Sequence, residues 1–349
     1  MKKLFIIFTA FSLLWIGCGK KDQNANKPVN SAKMDSTGTL QTSKDDAPPK
    51  DVSLDYNLKK DQHLSYKLTV ISSQMQSLTT NSTVKQDVKQ TLTYLIDMDV
   101  KDVDADKVMD IKLNVKSVKM DAEANNQKVS YQSGTLKDKT ERQKYAEYES
   151  LLNNPFSFRM NPKGEILEVY RVDKIVEKFL DLRGIKDSVS GDQKRQFQQN
   201  MSERALKPLV QQIFRSLPAK QLAIDSTWQF SYPTPITPVF GFDNITKFKL
   251  LGFEKLNSER LAVINAGLEL RTKGKNKYSE GGVNYDFKNP EAQGAGKIYF
   301  NLAKGCIQSS KTSSKVMMKA TINAPKTPKG PMKAIRNDVI ENTNIVELL

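Results

Sequence analysis

The sequence predicts an α+β fold: a large, curved antiparallel β-sheet with two or three central helices packed on one face. Three observations carry that expectation. Apolar and polar residues alternate with period two in both the first and the last parts of the chain. The middle switches to helical spacing. Turn residues separate neighbouring segments closely enough for hairpins. A chain of 349 residues fits one large or two modest domains at roughly 150 residues each.

The strands come first. Leu64, Tyr66, Leu68 and Val70 face one way, and Ser65, Lys67 and Thr69 the other. Leu92, Tyr94, Ile96, Met98 and Val100 repeat the pattern, as do Met109, Ile111, Leu113 and Val115. This is the alternation of half-buried antiparallel strands. Thr140 to Leu152 then reads as a short helix ended by Asn153-Asn154-Pro155. Asn161-Pro162-Lys163-Gly164 reads as a turn between two strands. Val172, Ile175, Val176, Phe179 and Leu180 have helical spacing. A longer helix is expected from about Asp192 to Ser216, kinked or restarted at Pro208. Strands resume from Leu217. The three prolines between Tyr232 and Pro238 predict an extended loop. Asn257-Ser258 and Lys304-Gly305 mark two further hairpins. The turn after Phe158 echoes the turn after Phe300, which admits two related β-lobes, 55–217 and 218–349.

The N-terminus predicts an address. Lys2 and Lys3 precede an apolar run of 13 residues, Leu4 to Ile16. That is shorter than the roughly 20 residues of a membrane span and suits a secretory leader over residues 1–17. The run ends Leu14-Trp15-Ile16-Gly17-Cys18, which resembles a lipobox, with Trp15 where leucine is usual. The resemblance implies cleavage between Gly17 and Cys18, and Cys18 carrying a diacylglycerol on sulfur and an acyl chain such as palmitate on its amine. Residues 18–54 are rich in Lys, Asp, Asn, Ser and Thr, and residues 19–54 hold no aromatic residue. They are expected to form a disordered tether.

The net charge is +15, or +13 once Lys2 and Lys3 are removed. Such a surface favours anionic partners, and the expected envelope address favours headgroups and glycans over nucleic acid. Lys311, Lys315 and Lys319 share one strand face by their even spacing. They read as a contact for anions or, more readily, as lysines guarding an edge strand. No aromatic residues interleave with them as a nucleic-acid platform would require.

Chemistry is harder to place. The chain has one histidine, His63, and two cysteines, Cys18 and Cys306. A Ser–His–Asp triad would have to use His63, and Cys306 lacks a histidine partner. Asp102-x-Asp104-x-Asp106 begins like a calcium loop, but Lys107 and Leu113 stand where that loop needs Gly and Glu. A solvated turn is the better reading. No residue is put forward as catalytic, metal-binding or cofactor-binding. Asp35-Ser36-Thr37 and Asp187-Ser188-Val189 resemble a short O-glycosylation pattern of Bacteroidota envelope proteins, making Ser36 and Ser188 the acceptor candidates.

From about Tyr56 onward the chain resembles an uncharacterised family of Bacteroidota lipoproteins. The matching features are Tyr66-Lys67-Leu68-Thr69, Leu217-Pro218-Ala219-Lys220 ahead of Asp225-Ser226-Thr227-Trp228, and the hairpin glycine Gly305. The family has no established activity, so the resemblance implies an address and a domain without a mechanism. Three function classes follow. A non-enzymatic, lipid-anchored lipoprotein binding an apolar ligand such as a lipid predicts a sizeable apolar cavity. An assembly subunit docking on other envelope proteins predicts a filled core and an exposed apolar patch or edge. An enzyme predicts a cleft with convergent polar groups, and no motif supports it. The expected location is the cell envelope, lipid-anchored in the outer membrane on its periplasmic or surface face.

Overall fold

The computed structural model describes residues 39–325 and 330–349. In chain order the elements are β1 (Ser43–Lys44), β2 (His63–Thr79), β3 (Thr83–Val103), β4 (Met109–Ala124), β5 (Gln127–Gln132), α1 (Lys139–Lys144), α2 (Ala146–Glu149), β6 (Phe156–Met160) and β7 (Ile166–Tyr170). Then come α3 (Asp173–Arg183), α4 (Gly191–Met201), α5 (Lys207–Ile213), β8 (Thr227–Thr237), β9 (Phe240–Leu256), β10 (Glu259–Gly274), β11 (Lys277–Glu280), β12 (Val283–Phe287), β13 (Glu291–Asn301), β14 (Cys306–Ala324) and β15 (Met332–Leu348).

All 15 strands join one antiparallel sheet, in the order β1-β9-β10-β13-β14-β15-β2-β3-β4-β6-β7, with β8 on β9, β5 on β4, and the β11–β12 hairpin on β14. The balance is corrected from α+β to mostly β, with 15% of the described residues helical. The strands outgrow expectation, since β3 alone runs 21 residues where about 5–6 is usual. The helices are short. The first breaks at Tyr145 into α1 and α2, and the expected long one is split by a π-turn at Ser202–Leu206. Pro208 lies just past that turn, in the first turn of α5, and the backbone stays helical through Leu206 and Lys207.

Register follows the alternation. Leu68 lies opposite Tyr94 on β3 and opposite Val346 on β15. The β15–β2 pairing puts strands from 55–217 and 218–349 into one sheet. One core also draws on both segments. It includes Tyr66, Ile111, Phe158, Val210, Ile264, Phe300 and Val346. Phe214 sits at its centre, 5.3 Å from the Tyr56 ring, 5.8 Å from Phe158 and 6.4 Å from Tyr66. Each fully buried ring of this kind stabilises by about 1.5–3 kcal/mol over exposure.

The two echoing turns meet the same segment. The Tyr56 N–H donates to the Pro162 carbonyl at 2.8 Å, and the Asn57 N–H to the Gly305 carbonyl at 3.3 Å. Gly164 (φ +79°) and Gly305 (φ +62°) are both left-handed. A Cβ on Gly164 would lie 2.6 Å from the Tyr56 ring, and one on Gly305 would lie 2.6 Å from the Asn57 nitrogen. Glycine is therefore required twice, for backbone sign and for close approach.

Three expectations need adjusting. The tether expected to reach residue 54 meets the fold earlier. Leu40 is buried with Leu261, Val263 and Tyr299. β1 pairs with β9, and the buried Asp45 is held by Arg260 and Lys255. Those two cations hold its carboxyl below the usual range. Second, the proline-rich stretch expected as a loop is part of β8. Among the described residues it pairs only with β9, and proline is tolerated on an edge strand. Third, Lys311, Lys315 and Lys319 do lie on one face, but β14 is an interior strand with β13 and β15 on its flanks. They guard no edge, and Lys315 pairs with Glu341 at 2.9 Å.

Candidate functional site

The residues singled out from sequence do not converge. Gly17, Cys18 and Ser36 lie outside the described residues. Ser188 ends an exposed 3₁₀ turn, Lys186–Ser188, on the surface between α3 and α4. His63 is exposed at the start of β2. Its Nδ1 lies 2.8 Å from Asp99 Oδ1 and its Nε2 lies 3.2 Å from Ser65 Oγ. The spacing imitates a triad, but the Ser65 hydroxyl donates to Asp97 at 2.7 Å. Its proton is aimed away from the imidazole a general base would need. Asp104 builds the β3–β4 turn by accepting from the N–H groups of Asp106 and Val108 at 3.0 and 2.9 Å, and it also receives Arg159.

Cys306 is fully buried at the start of β14. Burial pushes its thiol up to about 11. Against an ordinary value of 9.0, the thiolate share at pH 8 falls about a hundredfold, and access is closed as well. Alkylation by iodoacetamide at pH 8, followed by mass spectrometry, should therefore modify Cys306 only in denaturant. Rapid modification of the native protein would contradict the placement.

The arrangement with unmet chemistry is elsewhere. Arg215 follows α5, and its backbone is pinned by Tyr56. The Tyr56 hydroxyl accepts from the Arg215 N–H at 2.8 Å and donates to the Arg215 carbonyl at 3.0 Å. That fixes the side chain over a hollow of about 200 Å³ on the core-side face of the sheet. The walls come from β9, β10, β13, β14 and β15. Phe248, Ala266, Leu268 and Ile298 make its apolar side, and Thr312, Ser314, Asn342 and Asn344 its polar side. The polar row is set by register, since Thr312 lies opposite Asn344 and Ser314 opposite Asn342.

No described residue lining this hollow carries a carboxylate. Among the described residues the guanidinium has one weak neutral contact, Nη2 to Thr312 Oγ1 at 3.3 Å. Its Nε is buried with no hydrogen-bond partner, as is Asn344 Oδ1. Desolvation lowers the Arg215 pKa from the ordinary arginine value, and the group remains cationic in neutral solution. Arg215 is half-buried, but its Nε is fully shielded; shielded donors are normally paired, so an unmatched one is the exception to explain. A larger hollow of about 500 Å³ involves Lys247 and Lys249 on β9. Those lysines are paired with Glu269 and Asp225, so it offers less unmet charge. The sequence carried one signal for Arg215: no acidic residue occurs from Arg204 to Ile224.

No curated protein matches the chain at a meaningful level of similarity. Among solved structures, one of lipovitellin, titled for its lipid–protein interactions, is 13% identical with a TM-score of 0.39, over 84% of this chain and 25% of that one. This chain thus spans about a quarter of that lipovitellin chain. An outer membrane channel from Pseudomonas putida F1 is 9% identical with a TM-score of 0.16, over 84% and 98% of the two chains. OccK5 of Pseudomonas aeruginosa is 7% identical with a TM-score of 0.21, over 83% and 99%. Likenesses this slight support no conclusion about fold or ligand. A family match runs over residues 106–307, which includes Leu217-Pro218, Trp228 and Gly305, and on that match the chain belongs to the family described as Family of unknown function (DUF6263).

Proposed function

We propose that this chain is a non-catalytic, Bacteroidota-type lipoprotein of the cell envelope, anchored in the outer membrane through lipid on Cys18, that holds an amphiphilic ligand against the core-side face of its sheet. In this reading the sheet is curved, the central helices close part of that face, and the open remainder receives the ligand. The observation that carries it is the Arg215 hollow, half apolar and half polar, whose described lining residues offer the cation no carboxylate. About 200 Å³ is below the roughly 300–1,000 Å³ of a pocket that encloses a whole small ligand. It suits one end of a longer molecule. The address rests on Lys2, Lys3 and the run ending at Gly17-Cys18. The membrane, through the anchor, and the ligand are the partners; nucleic acid is not.

A docking subunit of an envelope assembly is the second reading. It is favoured by Ile71 and Met75, which are 41% and 48% exposed on the opposite face of β2. One experiment separates the two: full-length protein and its Cys18→Ser variant are expressed in the native envelope, fractionated, and the purified protein is weighed by native mass spectrometry. The expected result is membrane association lost in the variant, and a reproducible bound mass that extracts into organic solvent. Membrane retention of the variant would sink the anchor. A clean unliganded mass would sink ligand binding in favour of docking.

A further inference from the structure

We infer that the hollow at Arg215 is a headgroup site for an anionic oxygen group, a phosphate ester or carboxylate, with a hydroxyl or N–H donor beside it and an apolar tail beyond. This deepens the amphiphile reading and rests on it. The guanidinium supplies a planar fork of donors suited to anionic oxygens. Its Nε is desolvated and unpartnered, so an incoming anion would gain a charge-assisted bond without displacing a competing carboxylate. Asn344 Oδ1, also buried and open, asks for a donor and thereby favours a hydroxyl or N–H next to the anion. Thr312 and Ser314 add hydroxyls that turn either way.

The apolar side has its own direction. Phe248, Ala266 and Ile298 belong to the wall of the main core, so the hollow is shut on that side. Away from the core, the same face continues through Val316 and Ile340, which lie opposite each other across β14 and β15 and are half-buried. A tail leaving the headgroup along the sheet would meet these side chains next. Gly294 and Gly296 keep the β13 floor flat between them. A Cβ on Gly296 would lie 2.6 Å from the Thr312 methyl, so larger residues there would push into the polar row.

The test uses the full chain and three probes, titrated below their aggregation concentrations. Oleoyl glycerol phosphate carries head and tail, monoolein the same tail and glycerol without phosphate, and glycerol 3-phosphate the head alone. Oleoyl glycerol phosphate should bind at least about tenfold tighter than monoolein, through the charge-assisted bond to Arg215, and at least about tenfold tighter than glycerol 3-phosphate, through burial of its tail. Arg215→Gln should remove that advantage and leave monoolein binding unchanged. Asn344→Asp, which keeps Arg215 but adds a carboxylate to the hollow, should do the same. Circular dichroism melts check that both variants fold. Equal binding of oleoyl glycerol phosphate and monoolein, unmoved by either variant, would overturn the headgroup site while sparing the amphiphile reading. Glycerol 3-phosphate binding as tightly as the lipid, and lost in Arg215→Gln, would keep the anion site and remove the amphiphile. Binding of none of the three would overturn the inference.

Discussion

Tyr56→Ala should lower stability by about 3–5 kcal/mol, the usual loss for an aromatic truncation in a filled core. For a chain of this size that is a fall of roughly 6–10 °C in Tm. The reason is position. The ring meets Phe214 and Phe300 edge-on at 5.3 and 5.4 Å, and the hydroxyl satisfies both backbone groups of Arg215. Tyr56→Phe separates these roles. It keeps the ring and strands the Arg215 N–H and carbonyl, at about 1–3 kcal/mol. It should also weaken any ligand that needs Arg215 held in place. Thermal melts of the three proteins measure the difference. A Tyr56→Ala loss below about 1 kcal/mol would mean that this segment does not plug the core.

Gly164→Ala is expected to be nearly as damaging, at about 2–5 kcal/mol. A left-handed alanine costs about 1–2 kcal/mol, and forcing atoms into a packed site adds about 1–3. Here the added methyl would press on the Tyr56 ring and on the Arg215 carbonyl. Gly134 is the control. Its φ is the same +79°, but nothing lies within 4 Å of an added Cβ. Gly134→Ala should therefore cost only the backbone part, about 1–2 kcal/mol. Equal losses at the two sites in denaturant melts would show that the close approach at Gly164 contributes nothing.

Much of the sheet was legible because one buried face imposes a two-residue rhythm that a register slip would destroy. Tyr66, Ile96 and Ile111 announce their strands for that reason. The helices were legible as positions more than as lengths. The π-turn at Ser202–Leu206 leaves no mark in an amphipathic pattern. Pro233 and Pro235 misled because proline argues against a strand unless one edge is free, and edge status is a property of the whole sheet. The lysines of β14 misled in the reverse sense, since exposure on one face of an interior strand looks the same as exposure on an edge. Arg215 and Thr312 are 97 residues apart, and only the pairing of five strands brings the polar row beneath the guanidinium. The acid-free stretch around Arg215 hinted at an unmatched charge but not at a hollow.

The pairing of β15 with β2 also sets a timetable for making the molecule. Gln76 and Asp338, hydrogen-bonded across that pair, are 262 residues apart. A chain synthesised N-terminus first presents β2 long before that neighbour arrives. Until then the strand offers a bare edge and apolar residues such as Leu64, Tyr66 and Leu68 to any passing β-segment. Assembly dominated by such distant contacts is slow and exposed to aggregation. The interval between emergence of β2 and arrival of β15 is thus when this chain is most exposed to pairing with the wrong β-segment.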